Sequence, residues 1–253
     1  MIALELSGPA LRAGLDALVP ALPDLLELLK LKQALFAELL SEGHAETLTE
    51  ISFLGLVNFM PTVRRRVGAL LDADGFAALH PPLMALLDGP DPLPQRWRAW
   101  LATFPEDRAH RWLRDLGAEA LHFRAPEVTP LMSRWIWDTA TGTGVLREIW
   151  YPEANPPEPV GITDTPDTFF ALGHELDAFL RSQGLFRDLA LCADLLCAQV
   201  YAGYINDRGS TFLKADFAAE EDANRHTRRM MGLDALTVDG LRPRVRLPAR
   251  LAA

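Results

Sequence analysis

The stretch LALCADLLCAQVYAGYI, Leu189–Ile205, decides the fold. Its apolar residues cover every face of a helix, and only Asp194 and Gln199 interrupt them. A helix that is apolar all round is enclosed by protein or by lipid. This one is short for a membrane span and twice broken by polar residues. The helix predicted over about 186–206 is therefore the central buried rod of a mainly α, bundle-like fold, with at most a small β element near 145–151. Its two cysteines, Cys192 and Cys197, lie about 140° apart on such a helix and cannot pair with each other. Two thiols supply neither a structural zinc site nor a disulfide framework. Asp194 must meet an arginine or a hydroxyl, or sit on one wet edge of the rod, which is the commoner arrangement.

A rigid rod makes its exit a fixed platform. Directly after it, YAGYINDRGSTFLKAD (Tyr201–Asp216) places Asn206, Asp207, Arg208, Ser210, Lys214 and Asp216 where a core element meets solvent. Binding sites are often built on loops held by a scaffold. A lysine, an arginine, a hydroxyl and a carboxylate converging there would hold a phosphate or carboxylate ligand. The simpler reading has Gly209 stopping the helix, Arg208 complementing its dipole and Ser210 or Thr211 turning the chain.

Residues 218–231 read as a polar helix stopped by Gly232. From Arg225 onward seven arginines face two aspartates, a local charge of +5 in a chain of net charge −9, which leaves −14 for the residues before it. Arginine forks suit phosphate and carboxylate, so this tail is a candidate for nucleic acid or an acidic partner. No aromatic residue follows Phe217 to stack on bases, which disfavours nucleic acid. A basic arm laid over the chain's own acidic body explains the pattern as well.

Towards the N-terminus, Thr165-Pro166 starts a helix whose Phe169, Leu172, Leu176, Phe179 and Leu180 share a face and which Gly184 ends. Its polar stripe of His174, Asp177 and Arg181 is either a solvated side or part of a site shared with the 206–216 loop. Tyr151–Thr165 carries four prolines and reads as an extended surface crossing. Residues 129–151 read as a helix from Thr129-Pro130 to about Gly142 followed by a short strand, with a hairpin at Thr139–Gly144 as the alternative. All six tryptophans fall between Trp97 and Trp150, which implies an aromatic core in preference to a ring-lined groove. Residues 95–122 look helical in two pieces, divided at Phe104-Pro105. The run DGPDPLP, 88–94, is the best linker; it separates an N-terminal helical subdomain, 1–88, from a larger body, 95–253. Helices are predicted in the former over 22–40, from Thr47 to before Pro61, and over 62–72 and 75–87.

With 253 residues, 49% hydrophobic and 23% charged, the chain is an ordinary globular protein. A net charge of −9 argues against a general nucleic-acid binder. Met1-Ile2-Ala3-Leu4-Glu5 lacks a basic leader and an apolar run, so the expected location is cytoplasmic, with no membrane contact. Arginine outnumbers lysine 22 to 3, the mark of a GC-rich, bacterial coding sequence.

Carboxylate–histidine pairs recur: Glu106 or Asp107 with His110, Glu119 with His122, His174 with Asp177, and Asp222 with His226. Each pair shares a helix face, as in bundles that hold two metals. Only Glu119-x-x-His122 matches the Glu-x-x-His repeat of such bundles, so salt-linked pairs are the simpler reading, and no metal or cofactor is assigned. There is no phosphate loop, dinucleotide-binding glycine motif or nucleophile elbow. The favoured reading is a non-catalytic accessory or assembly protein that binds another protein. The alternative is a helical enzyme, metal-dependent in one version, with a polar site between the 174–181 helix and the 206–216 loop.

Overall fold

The computed structural model describes residues 4–154, 156, 158–212, 223–237 and 240–248, with the backbone alone described for 205–212 and 223. It is mainly α-helical. In chain order the helices are α1 (Gly8–Leu18), α2 (Leu22–Leu39), α3 (Glu50–Val57), α4 (Val67–Ala73), α5 (Phe76–Asp88), α6 (Leu93–Ala102), α7 (Trp112–Arg124), α8 (Val145–Glu148), α9 (Pro166–Ser182), α10 (Leu189–Phe212) and α11 (Ala223–Met230). The small sheet pairs β1 (Leu236–Thr237) with β2 (Gly240–Leu241) in antiparallel register. Two compact units make up the chain: Met1–Lys30 with Arg134–Met231, and Leu31–Ser133 with Gly232–Ala253. The DGPDPLP stretch lies inside the second unit, where it joins α5 to α6, two helices that pack on each other. A proline-rich run marks a tight turn as readily as a domain boundary.

The first unit is built on α10. Leu191 to Gln199 are buried without interruption, and α1, α8, α9 and α11 pack against this helix. The rod predicted from its all-round apolarity is therefore present. It begins at Leu189 and runs on to Phe212, so Gly209 does not stop it. Asp194 is 6% exposed, which removes the wet edge expected for it. α1, which sequence patterning did not predict, starts where the Ser7 hydroxyl accepts the Ala10 N–H at 3.3 Å. It lies so close to the rod that a Cβ on Gly14 would stand 2.7 Å from Val200 Cγ2. α9 follows Thr165 as expected and buries Phe169, Leu172, Leu176 and Leu180.

Residues 129–151 form neither the long helix nor the strand expected there. Turns lead to an isolated antiparallel bridge between Asp138 and Thr143, where the hairpin alternative placed its turn, but 145–148 is the short helix α8 in place of that hairpin's second strand. The Asp138 carboxylate accepts the Ala140 N–H at 3.1 Å, a local bond that competes with helix formation. Trp150 pairs with Leu6 in a second isolated bridge, where Ser7 N–H donates to Ile149 O at 2.7 Å and Tyr151 N–H to Glu5 O at 2.6 Å.

The second unit has its own buried helix. In α7, Trp112, Leu113 and every residue from Asp115 to Phe123 are buried. Trp100 packs beside it and donates its indole N–H to Leu113 O at 3.1 Å. Thr49, not Thr47, caps α3, its hydroxyl accepting the Ser52 N–H at 3.2 Å. The tryptophans do not share one core. Trp97, Trp100 and Trp112 are buried in the second unit, Trp137 and Trp150 in the first, where Trp135 is half-buried. No helix among the described residues is long and apolar enough to cross a membrane.

Candidate functional site

The rod's exit is helical where a loop was expected. Asn206, Asp207, Arg208 and Ser210 lie on the last turns of α10, and their side chains are outside the described residues. Lys214 and Asp216 are outside the described residues altogether, as is Asp222. On α9, His174 and Arg181 are exposed and Asp177 is half-buried, so this stripe is the solvated side of that helix.

The helix α11 is held firmly on the rod. Thr227, in its middle, is fully buried and donates its hydroxyl to Gln199 Oε1 at 2.6 Å. That bond satisfies a polar group inside an apolar rod and fixes α11 upon it. With Thr227 and Met231 turned inward, Arg225 and Arg229 are exposed and Arg228 is half-buried. Residues 225, 228 and 229 are helical neighbours at spacings of three and four. Arg228 and Arg229 make no ion pair among the described residues. The remainder of the arginine tail is used differently. Asn58, 6% exposed, donates to Arg242 O at 3.2 Å and accepts the backbone N–H groups of Arg244 and Val245. Asp234 takes both arms of the Arg64 guanidinium at 2.8 and 2.9 Å, with Arg244 3.6 Å away. Thus 242–246 is an arm laid on its own unit. Arg250 lies outside the described residues.

An ionic cluster that sequence patterning did not predict lies in the second unit. Lys32 is 1% exposed; its ammonium is 2.8 Å from Glu119 Oε2, donates to Phe59 O at 3.0 Å and lies 3.8 Å from the centre of the Phe123 ring. Burial pushes the Glu119 carboxyl above its ordinary range, against the opposing pull of Lys32 and His122 and with a further push from Asp115. His122 Nδ1 donates to the Thr129 carbonyl at 2.8 Å, and the Glu119 carboxylate faces the Lys32 ammonium. A lysine ammonium occupies the carboxylate where the Glu-x-x-His reading would put a metal. Asp107 and His110 form an exposed pair at 2.8 Å, and the His110 hydrogen bond pulls the Asp107 carboxyl below its ordinary value. Among the described residues no group of three or more His, Cys, Asp or Glu is placed to hold a metal. The signal for Lys32 was legible: it sits in the buried α2 register of Leu25, Leu29 and Phe36.

The first unit also contains a cleft of about 230 Å³. Trp137, Thr139, Gly142 and Arg147 form its floor, and the crossing segment Glu158–Ile162 forms its other wall. Ile162 O accepts the Trp137 indole N–H at 3.0 Å and the Thr139 hydroxyl at 3.2 Å. Arg147 donates to Glu158 Oε1 at 2.7 Å and to Gly142 O at 3.2 Å. Pro159 is buried, whereas Val160 is 70% exposed. No family model, curated protein or solved structure matches this chain.

Proposed function

We propose that the chain is a non-catalytic accessory or assembly protein of the bacterial cytoplasm, which binds another protein through the basic face of α11. The observation that carries this reading is the pairing of Arg228 and Arg229, free of ion pairs among the described residues, with a helix held to a buried rod by the Thr227–Gln199 bond. Preordered arginine forks on a fixed element lose little freedom when they meet carboxylates. A partner surface rich in Asp and Glu is the matching chemistry. Nucleic acid is the weaker match, because no aromatic side chain stands beside these arginines in the sequence. The enzymatic alternative requires Asp207, Arg208 and Lys214 to converge with a histidine; His174, the histidine it named, faces solvent.

Charge reversal tests this. Wild-type protein immobilised in extract of its native host is expected to retain a reproducible partner at low salt, and R228E/R229E is expected to lose it while keeping its helical circular dichroism. Retention of the same partner by the variant, or none by wild type, contradicts the proposal. Retention of nucleic acid that falls steeply with salt would favour the other class of ligand.

A further inference from the structure

We infer that the second unit carries an arginine surface that docks an acidic segment of a partner protein, one whose carboxylates are interspersed with apolar side chains. Five exposed arginines from three distant parts of the sequence meet there: Arg65 and Arg66 ahead of α4, Arg108 in the turn between α6 and α7, and Arg242 and Arg246 of the arm. Backbone contacts bring them together. Arg246 N–H donates to Arg64 O at 2.7 Å, the Asn58 side chain holds the backbone of Arg242, Arg244 and Val245, and the Arg66 guanidinium reaches Arg108 O at 3.5 Å. The arm lies so close to α4 that a Cβ on Gly68 would stand 2.6 Å from Arg246 O.

Three observations point to a partner. None of the five side chains forms an ion pair among the described residues, and within 242–246 only Arg244 meets a carboxylate, that of Asp234. An arm laid down to neutralise the chain's own acids would meet carboxylates; this one is set beside like charges, which repel until an anion arrives. The acidic surplus also lies elsewhere, since the second unit holds 14 basic and 15 acidic residues and the first holds 11 and 19. Finally, Leu241 and Leu247, 63% and 43% exposed, flank the arginines of the arm. Arginine beside apolar anchors is the chemistry of protein interfaces, whereas a phosphate backbone offers leucine nothing. Docking leaves the arm in place, because Arg64, Arg244 and Asn58 hold it and the five exposed side chains do not. The α11 face belongs to the other unit, and neither proposal requires the other.

The probe is a fluorescein-labelled peptide, EELEELEELE, added at low salt to the full chain and read by anisotropy. The chain carries R228E/R229E throughout, so that α11 takes no part. That chain is expected to bind the peptide, and adding R65E/R242E/R246E should weaken binding about tenfold while the helical circular dichroism is kept. The milder R242Q/R246Q should weaken it about threefold, and gives the same reading if the charge reversal unfolds the chain. Serine in place of the peptide's leucines should also weaken binding about threefold. The docking surface is excluded if the peptide does not bind, if neither arginine variant weakens binding, or if the serine peptide binds equally well. Tighter binding of a short DNA duplex of mixed sequence than of the peptide would also overturn it, in favour of nucleic acid.

Discussion

Lys32→Met is expected to destabilise the protein by about 3–5 kcal/mol at pH 7, because it leaves the Glu119 carboxylate buried beside Asp115 without its counter-ion. The lost contact of the ammonium with the Phe123 ring adds to this, since a desolvated cation–π contact is worth about 2 kcal/mol. The double variant K32M/E119L should recover most of the loss, to within about 1 kcal/mol of wild type or above it, because an apolar pair of similar volume carries no desolvation cost. The pH dependence has a definite sign. Burial raises the native Glu119 carboxyl above its unfolded value of 4.5, so the native state holds this proton more tightly. The stability that it contributes is complete below the unfolded pKa and is lost as pH rises through the native one. Without Lys32 the carboxyl is pushed higher still, so the K32M deficit should be largest near pH 7 and shrink as pH falls to 4.5. Urea midpoints at the two pH values measure this. A K32M deficit independent of pH, or a double variant as unstable as the single one, contradicts the assignment.

The second large effect is expected at Gly232. Its φ is +73, and a Cβ placed there would stand within 1.9 Å of the Phe59 carbonyl oxygen, a backbone atom that cannot swing aside. An L-residue in this left-handed conformation costs about 1–2 kcal/mol. Overpacking against fixed structure adds about 1–3 kcal/mol. Gly232→Ala should therefore lose about 2–5 kcal/mol in thermal or urea unfolding. The carbonyl of Phe59 is also an acceptor for the Lys32 ammonium, so the shift that relieves the overlap disturbs the ionic cluster as well. A variant within about 0.5 kcal/mol of wild type, the range of neutral surface changes, would show that the backbone is not so confined.

The parts of the fold legible in the sequence are those where one physical signal dominates. α10 was readable because all-round apolarity over seventeen residues has few other solutions. α9 was readable because a threonine-proline start, a single apolar face and a terminal glycine agree. α7 was legible as the second helical piece of 95–122, but its burial was hidden because its inner face carries Asp115, Glu119 and His122, residues that imitate a solvated stripe until their partners, such as Lys32 from another helix, are known. Residues 129–142 were misread because Thr129-Pro130 resembles a helix start, whereas Asp138 and the glycine-threonine run favour local turn bonds. Of the site residues, His174 and Asp177 occupy the solvated stripe that the simpler reading gave them. The cleft donors Trp137, Thr139 and Arg147 gave no signal, since their joint address is set by a crossing segment that meets them only in three dimensions.

The enclosure of α10 underlies both the first unit's layout and the fixed position of α11, and the chain carries its own reporters for it. Cys192 and Cys197, 2% and 3% exposed, are its only thiols and point to opposite sides of that helix. Burial, helped by the charge of Asp194, also pushes the Cys197 thiol far above its ordinary range, so thiolate is scarce. Treated with Ellman's reagent in native buffer, the protein is expected to release no thiol colour over minutes and to release two equivalents once urea unfolds it. Release of one or both equivalents from the folded protein, at the rate of a free cysteine, would show that a side of α10 faces solvent and would contradict its enclosure.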